Sequence, residues 1–319
     1  MSVSGEQHPA IHRIERDHDG EPLFDALVQR LRGADLSTLL MAVMDGRARR
    51  RSPADILRQY ERDRFVRPGT VEARRLIEVE RIALEAAYPT FDPVVTAPVA
   101  PLGAHAVVTG ISQNRVVSTT RGTEVAADPT MSLALEAALR RRDLLAAGPR
   151  SSTVVRLSAI DRVTRAQLFS GPRSFAHFSL LGLVSAGRDT GSHTFEIAEL
   201  RRHVDALTRI VGRLGVAMES VVVSDVGGQP GSALDRLVTA LRDDGHRATV
   251  WPERTAGREY YADLCFKVVV RHGDELIEAG DGGAVGWTAA LLGNAKERLV
   301  ISGLGLERLA PLAPFEPTP

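Results

Sequence analysis

The chain has one cysteine, two lysines and no long apolar run, and each scarcity excludes something. With Cys265 alone, no disulfide can form within the chain, and a reducing cytoplasm is the expected compartment. Cys265 sits in the strand-like run Leu264-Cys265-Phe266-Lys267-Val268-Val269-Val270, where a small buried hydrophobe is expected rather than a nucleophile. No apolar stretch approaches the roughly 18 residues of a membrane span. Residues 1–19 are polar and contain no secretory segment. Neither Gly-x-x-x-x-Gly-Lys-Ser/Thr nor Gly-x-Ser-x-Gly occurs, which removes the main sequence support for P-loop and serine-hydrolase chemistry. His177, His193 and His203 lack metal-binding spacing and have no cysteine pair beside them, so no structural metal is expected. Basic and acidic residues number 40 each, leaving no net field to attract nucleic acid or a membrane. Lysine occurs only at 267 and 296; the preponderance of arginine reflects a GC-rich coding background rather than a function.

What is present suits a globular protein: 319 residues, 44% hydrophobic and 25% charged, enough for one large domain or two ordinary ones. Residues 22–67 read as helical, with Leu23, Leu27 and Leu31, then Leu36, Leu39, Leu40 and Val43 at helical spacing. Ser52-Pro53 reads as an N-cap with proline at the first helical position. The run Arg47–Arg51 between these helices reads as a solvated turn. A helix over 71–88 carries the stripe Leu76, Ile77, Val79, Ile82, Ala83 and Ala86 and ends at Pro89. Extended chain follows at 93–98, short strands at 106–109 and 115–119, and a helix at 129–142 capped by Asp128. Strands are expected at 153–160 and 176–185, then a helix at 196–214. A βα unit at 220–243 lacks the third spaced glycine of a phosphate loop. Strands at 247–250, 262–270 and 275–279, a glycine-rich turn, a short helix and a final strand complete the order. Residues 1–68 form an N-terminal helical extension and 69–319 a core. The expected class is α+β, a central mostly antiparallel sheet flanked by helices.

The stretch Ile301-Ser302-Gly303-Leu304-Gly305-Leu306-Glu307-Arg308-Leu309 places a Gly-x-Gly after a strand and an arginine three residues beyond it. A dinucleotide fold needs a further helix, strand and acidic residue, for which this sequence leaves no room. Two readings stay open. The glycines let the backbone press against a flat ligand on which the arginine stacks, or they pack a helix tightly on a strand.

Three separated segments resemble, in order, the three motifs of class II aminoacyl-tRNA synthetases. The helix 74–88 leading into Val94-Val95-Thr96-Ala97-Pro98 resembles motif 1. Asp161-Arg162-Val163-Thr164-Arg165-Ala166-Gln167, the loop through Arg173 and the strand at His177-Phe178 resemble motif 2. Gly303-Leu304-Gly305-Leu306-Glu307-Arg308-Leu309 resembles motif 3. Glu259-Tyr260-Tyr261 before the strand 264–270 is similar to the layout of the histidyl-tRNA synthetase subfamily.

That likeness implies an antiparallel platform, a homodimer formed through motif 1, and attack of a carboxylate on the ATP α-phosphate assisted by Mg²⁺. It places Arg162 on the α-phosphate, Arg308 on the adenine and γ-phosphate, and Arg173 near the outer phosphates, with Gly303 and Gly305 beneath the nucleotide. Glu307 and Glu124 become candidate metal or polar ligands. The departures are informative. Thr164 stands where motif 2 has Glu, and Ala256 where the subfamily has a catalytic Arg. Gly280-Asp281-Gly282-Gly283-Ala284-Val285-Gly286-Trp287 replaces the loop that shapes the histidine pocket. Arg121 stands where a Glu would receive the substrate ammonium, a repulsion that makes histidine an unlikely substrate.

Arg121, Glu124, Tyr260, Tyr261, Asp281 and Trp287 are therefore expected to shape a pocket for a different acid. No segment after motif 3 supplies an anticodon-binding domain, so tRNA charging is not expected. The expected function is ATP-dependent adenylation of a small carboxylic acid, such as an amino acid passed to a carrier or partner protein. The alternative is a catalytically inactive subunit similar to the regulatory subunit of ATP phosphoribosyltransferase.

Overall fold

The computed structural model describes residues 8–18, 22–148, 150–167, 176–227, 231–254, 257 and 260–314. The chain divides into two compact units, Met1–Glu61 with Thr119–Gly122, and Arg62–Ser118 with Thr123–Pro319.

The first unit is helical: α1 (Pro9–Asp17), α2 (Leu23–Asp25) running into a wider turn at Ala26–Arg30, α3 (Gly33–Ala48) and α4 (Pro53–Arg62). Helix α1 lies in a stretch whose polar composition gave no helix signal. It starts because Pro9 needs no N–H partner and the His8 ring accepts the Ala10 N–H at 3.2 Å. Ser52 caps α4 reciprocally: its Oγ accepts the Asp55 N–H at 3.2 Å, and the Asp55 carboxylate accepts the Ser52 N–H at 2.9 Å.

In the second unit α5 (Ala73–Ala87) is capped by Glu72 and buries Val79, Ile82, Ala83 and Ala86 along its stripe. The remaining elements are β1 (Asp92–Pro93), β2 (Val99–Pro101), β3 (Thr123–Val125), α6 (Pro129–Ala147), β4 (Val155–Thr164), β5 (His177–Arg188), α7 (Thr194–Arg213) and β6 (Ala217–Asp225). Then come α8 (Ser232–Asp243), β7 (Ala248–Val250), β8 (Leu264–His272), β9 (Glu275–Val285), α9 (Trp287–Leu292), β10 (Glu297–Gly305) and α10 (Leu306–Leu309). Asp128 caps α6 as its sequence position implies, accepting the Thr130 N–H at 2.9 Å.

Eight strands form one sheet in the order β1-β4-β5-β10-β9-β8-β6-β7. The six from β4 to β6 are antiparallel, and β1 and β7 add parallel edges. The class is α+β, with a large, mostly antiparallel sheet. One face packs on α5 and α7 through Leu181, Leu183, Val204 and Leu207. The other packs on α6 and α9 through Leu157, Ala159, Met131 and Ala134. Because strand side chains alternate, Leu157 and Ala159 of β4 face α6, whereas Ile160 and Arg162 face the α5 side.

Three local expectations need correction. Residues Ala104–Thr109 are helical rather than a strand, because Gly103 and Gly110 take left-handed conformations at either end and the turn winds around the Glu124 carboxylate. The stretch 115–119 holds no strand; a 3₁₀ turn occupies Gln113–Arg115, and β2 pairs with β3 instead. The glycines at 280, 282 and 283 do not make a turn but belong to β9. A Cβ on Gly280 would lie 2.3 Å from the Gly303 carbonyl, and one on Gly282 2.6 Å from the Ile301 carbonyl, so glycine is what lets β9 lie this close to β10.

Candidate functional site

A cleft of about 980 Å³ opens on the α6 side of the sheet. Its floor is Phe178 and Leu180 of β5 with Ile301, Gly303 and Gly305 of β10. Register explains that grouping: Gly305 stands opposite Leu180 and Gly303 opposite Gly182, and facing pairs share a side. Asp128 and Thr130 supply one wall, Arg165 and Gln167 another, and Glu278, Asp281, Glu307 and Arg308 the far side. Tyr260, Tyr261, Arg254 and Lys267 close the end.

Arg165 leaves the end of β4 on the cleft side. Its guanidinium stands 5.1 Å from the Phe178 ring centre, donates to the Ala127 carbonyl at 3.1 Å and pairs with Asp128 at 3.4 Å. Arg254 is buried, 3.7 Å from the Asp281 carboxylate and 5.5 Å from the Tyr261 ring centre. The Tyr261 hydroxyl donates to Asp281 at 3.0 Å. Loss of bulk solvent within the cleft raises the Asp281 pKa, against the opposing pull of that hydrogen bond and of Arg254. The same loss of solvent raises both tyrosines well above their usual range, so they act as neutral donors. Lys267 holds Glu278 at 2.7 Å, and Arg308 donates to the Glu278 carbonyl at 2.5 Å.

Of the residues singled out by sequence, Arg308, Gly303, Gly305, Tyr260, Tyr261, Asp281 and Glu307 line this cleft. Arg173 lies outside the described residues, as do Ala256, Arg258 and Glu259. Four others do not line it. Arg162 faces the opposite side of the sheet, opposite Ser179, where it bonds His177 and Glu307. Trp287 is buried under Tyr260, ring centres 5.2 Å apart, and supports that wall from behind. Arg121 is not among the residues that line the cleft.

Glu124 is an internal anchor. It is fully buried and accepts from the Gly103 N–H and the His105 N–H at 2.9 Å each, the His105 ring at 2.6 Å and Gln113 at 2.8 Å. Burial alone would raise its pKa; the surrounding donors outweigh burial and hold it at about 2. Its contribution to stability is fully present above the ordinary value of 4.5 and is lost as pH falls toward about 2. Glu124→Gln is therefore expected to lower Tm at neutral pH and to flatten the acid limb of Tm against pH. Parallel acid limbs in melts of the two proteins would refute this.

Glu307 does not fit a metal site. Its Oε1 pairs with Arg162 at 3.0 Å, its Oε2 is closed off from solvent, and among the described residues no three His, Cys, Asp or Glu converge on a metal position. Cys265 is buried against the Ser224 carbonyl at 3.6 Å, and burial pushes its thiol up to about 11, which suits packing rather than attack.

Sequence reasoning missed Arg165, Gln167, Asp128 and Lys267. Two signals were available for the first pair. Arg165-Ala166-Gln167 places a second arginine three residues after Arg162, with a polar residue two further on, and 165 shares the odd parity of the α6-facing Leu157 and Ala159. Asp128 had been assigned only as a cap; one oxygen serves α6 while the other faces Arg165.

The sequence matches no family model and no curated protein. Solved structures do match. An ATP phosphoribosyltransferase regulatory subunit/histidyl-tRNA synthetase from Bacillus halodurans aligns at TM-score 0.61 with 13% identity, covering 79% of this chain and 83% of that one. A histidine–tRNA ligase subunit from Alicyclobacillus acidocaldarius aligns at 0.59 with 16% identity, covering 76% and 96%. Histidyl-tRNA synthetase from Nostoc aligns at 0.58 with 14% identity, covering 77% and 73%. The fold of this chain is therefore that of the class II, histidyl-tRNA synthetase-like core.

Proposed function

We propose that the cleft binds ATP and uses it to activate a small carboxylic acid as its adenylate. The observation that carries this reading is the meeting of Arg165, Arg308 and the bare backbone of Gly303 and Gly305 on one face of the antiparallel sheet. Glycines leave a flat floor for a planar base, and guanidinium groups suit both stacking and phosphate contact. Arg165 takes the α-phosphate role first expected of Arg162. An oxygen of the acid attacks the α-phosphorus, the bond to the β-phosphate oxygen breaks, and pyrophosphate leaves with that electron pair. Arg165 and Arg308 stabilise the charge that accumulates on the phosphate oxygens. Asp128 and Asp281 favour an acid bearing an amine, with Tyr260 and Tyr261 enclosing it. Mg²⁺ arriving on the ATP phosphates would neutralise their charge. Dimerisation is proposed through α5 and the extended segment after it, where Tyr88, Val95 and Val99 are exposed.

One observation favours a second reading, a catalytically inactive subunit that acts by protein contact. Arg165, Arg254 and Lys267 each already face a carboxylate, which blunts their pull on phosphate. ATP–pyrophosphate exchange with a panel of amino acids and related acids separates the two. Exchange that depends on one acid supports the enzyme. ATP binding without exchange supports the subunit, and no affinity for ATP at all removes the nucleotide from both.

A further inference from the structure

We infer that Arg162 is a positioning residue: with His177 and the segment 63–69 it forms a relay that holds Glu307, and through it Arg308, at the cleft wall. A guanidinium only donates hydrogen bonds. Two of its donors meet the Nδ1 of His177 at 3.0 and 2.8 Å, so Nδ1 must be the unprotonated nitrogen. The proton then lies on Nε2, which donates to the Arg67 carbonyl at 2.6 Å. A third Arg162 donor reaches Glu307 Oε1 at 3.0 Å. Glu307 is almost wholly buried and is followed directly by Arg308.

The segment that receives the His177 proton also closes over the ion pair. A Cβ on Gly69 would lie 2.8 Å from Arg162 and 3.0 Å from Glu307. Earlier in the same segment, Arg64 donates to the carbonyls of Ala166 at 2.5 Å and Gln167 at 3.2 Å, and Gln167 lines the cleft. One short stretch of chain thus touches both the Arg162–Glu307 pair and the cleft wall at Gln167.

Removing the imidazole takes away both the acceptor that holds two Arg162 donors and the donor that reaches the Arg67 carbonyl.

The test uses the full chain, with ATP affinity measured by calorimetry and hydrogen exchange followed at the amides of 303–309. It rests on the nucleotide reading only for its first readout. His177→Ala, which removes the Nδ1 acceptor, is expected to weaken ATP binding roughly three- to tenfold. His177→Gln, whose amide both accepts and donates, should retain most of the affinity. Arg162→Ala should weaken ATP binding by a similar factor and speed exchange at 303–309, and Arg162→Lys should restore part of both. Full ATP affinity in His177→Ala would overturn the relay, as would unchanged exchange in Arg162→Ala. If the parent chain does not bind ATP, the nucleotide reading fails, and the exchange rates alone decide the relay.

Discussion

Arg165→Ala is expected to weaken ATP binding about 30- to 100-fold, the range that follows from losing charge-assisted hydrogen bonds to phosphate worth about 2–3 kcal/mol. Arg165 is about one-third exposed at its side chain, so solvent screening keeps the effect below that of a sealed site. Removing it also leaves Asp128 facing the phosphate without its partner, which adds repulsion to the loss. Arg308→Ala should weaken binding less, because Arg308 is more open to solvent. Arg162→Ala should fall well below Arg165→Ala, since Arg162 touches only the relay. The order of the three, measured by ATP titration of each variant, is the content of the prediction. If Arg162→Ala proves the most damaging, Arg162 and not Arg165 contacts the phosphate, as the motif likeness implies.

That three-residue difference shows where the sequence stops being legible. Helices α5, α6 and α7 could be read because each carries local evidence: an apolar stripe that repeats with the helical turn in α5 and α7, and the capping Asp128 followed by proline in α6. The platform of β4, β5, β8 and β10 could be read from runs of β-branched and aliphatic residues. Which face of β4 meets the ligand could not, because arginines stand at 156 and 162 on one face of the strand and at 165, of opposite parity, just past its end. Neighbouring strands and helices decide the face. The glycines of β9 were misread for a related reason. A glycine cluster in isolation looks like a turn, and only the carbonyls of Ile301 and Gly303, about 20 residues further along the chain, make it a strand.

The wall residues divide in the same way. Arg308, Gly303 and Gly305 were found because a Gly-x-Gly after a strand is a local signal. Asp128 also had a local signal, but the cap it makes hid its second role. Glu124 showed the reverse: a carboxylate near the expected pocket is wholly occupied by its own backbone neighbours.

Arg141→Ala is expected to destabilise the fold by about 3–5 kcal/mol, the usual consequence of leaving one charge of a buried pair without its partner. Both side chains of the Arg141–Glu297 pair are fully buried. The guanidinium bonds both carboxylate oxygens, at 2.7 and 2.9 Å, and also donates to the carbonyls of Thr153 at 2.5 Å and Ser151 at 3.2 Å. It thereby ties the later turns of α6 to the start of β10 and to the chain entering β4. Removal strands not only Glu297 but two carbonyls, so the loss should exceed that of an ordinary surface pair several-fold. Urea unfolding gives the size of the effect. The double variant Arg141→Met with Glu297→Leu should recover most of it, because the penalty belongs to the unpaired charge rather than to the missing attraction. Glu297 opens β10, whereas the cleft floor uses its far end at Gly303 and Gly305. The double variant should therefore bind ATP with an affinity within about twofold of the parent, which separates the stability of the platform from the chemistry on top of it. A double variant as unstable as Arg141→Ala alone would show that the four hydrogen bonds, and not charge balance, hold α6 to the sheet.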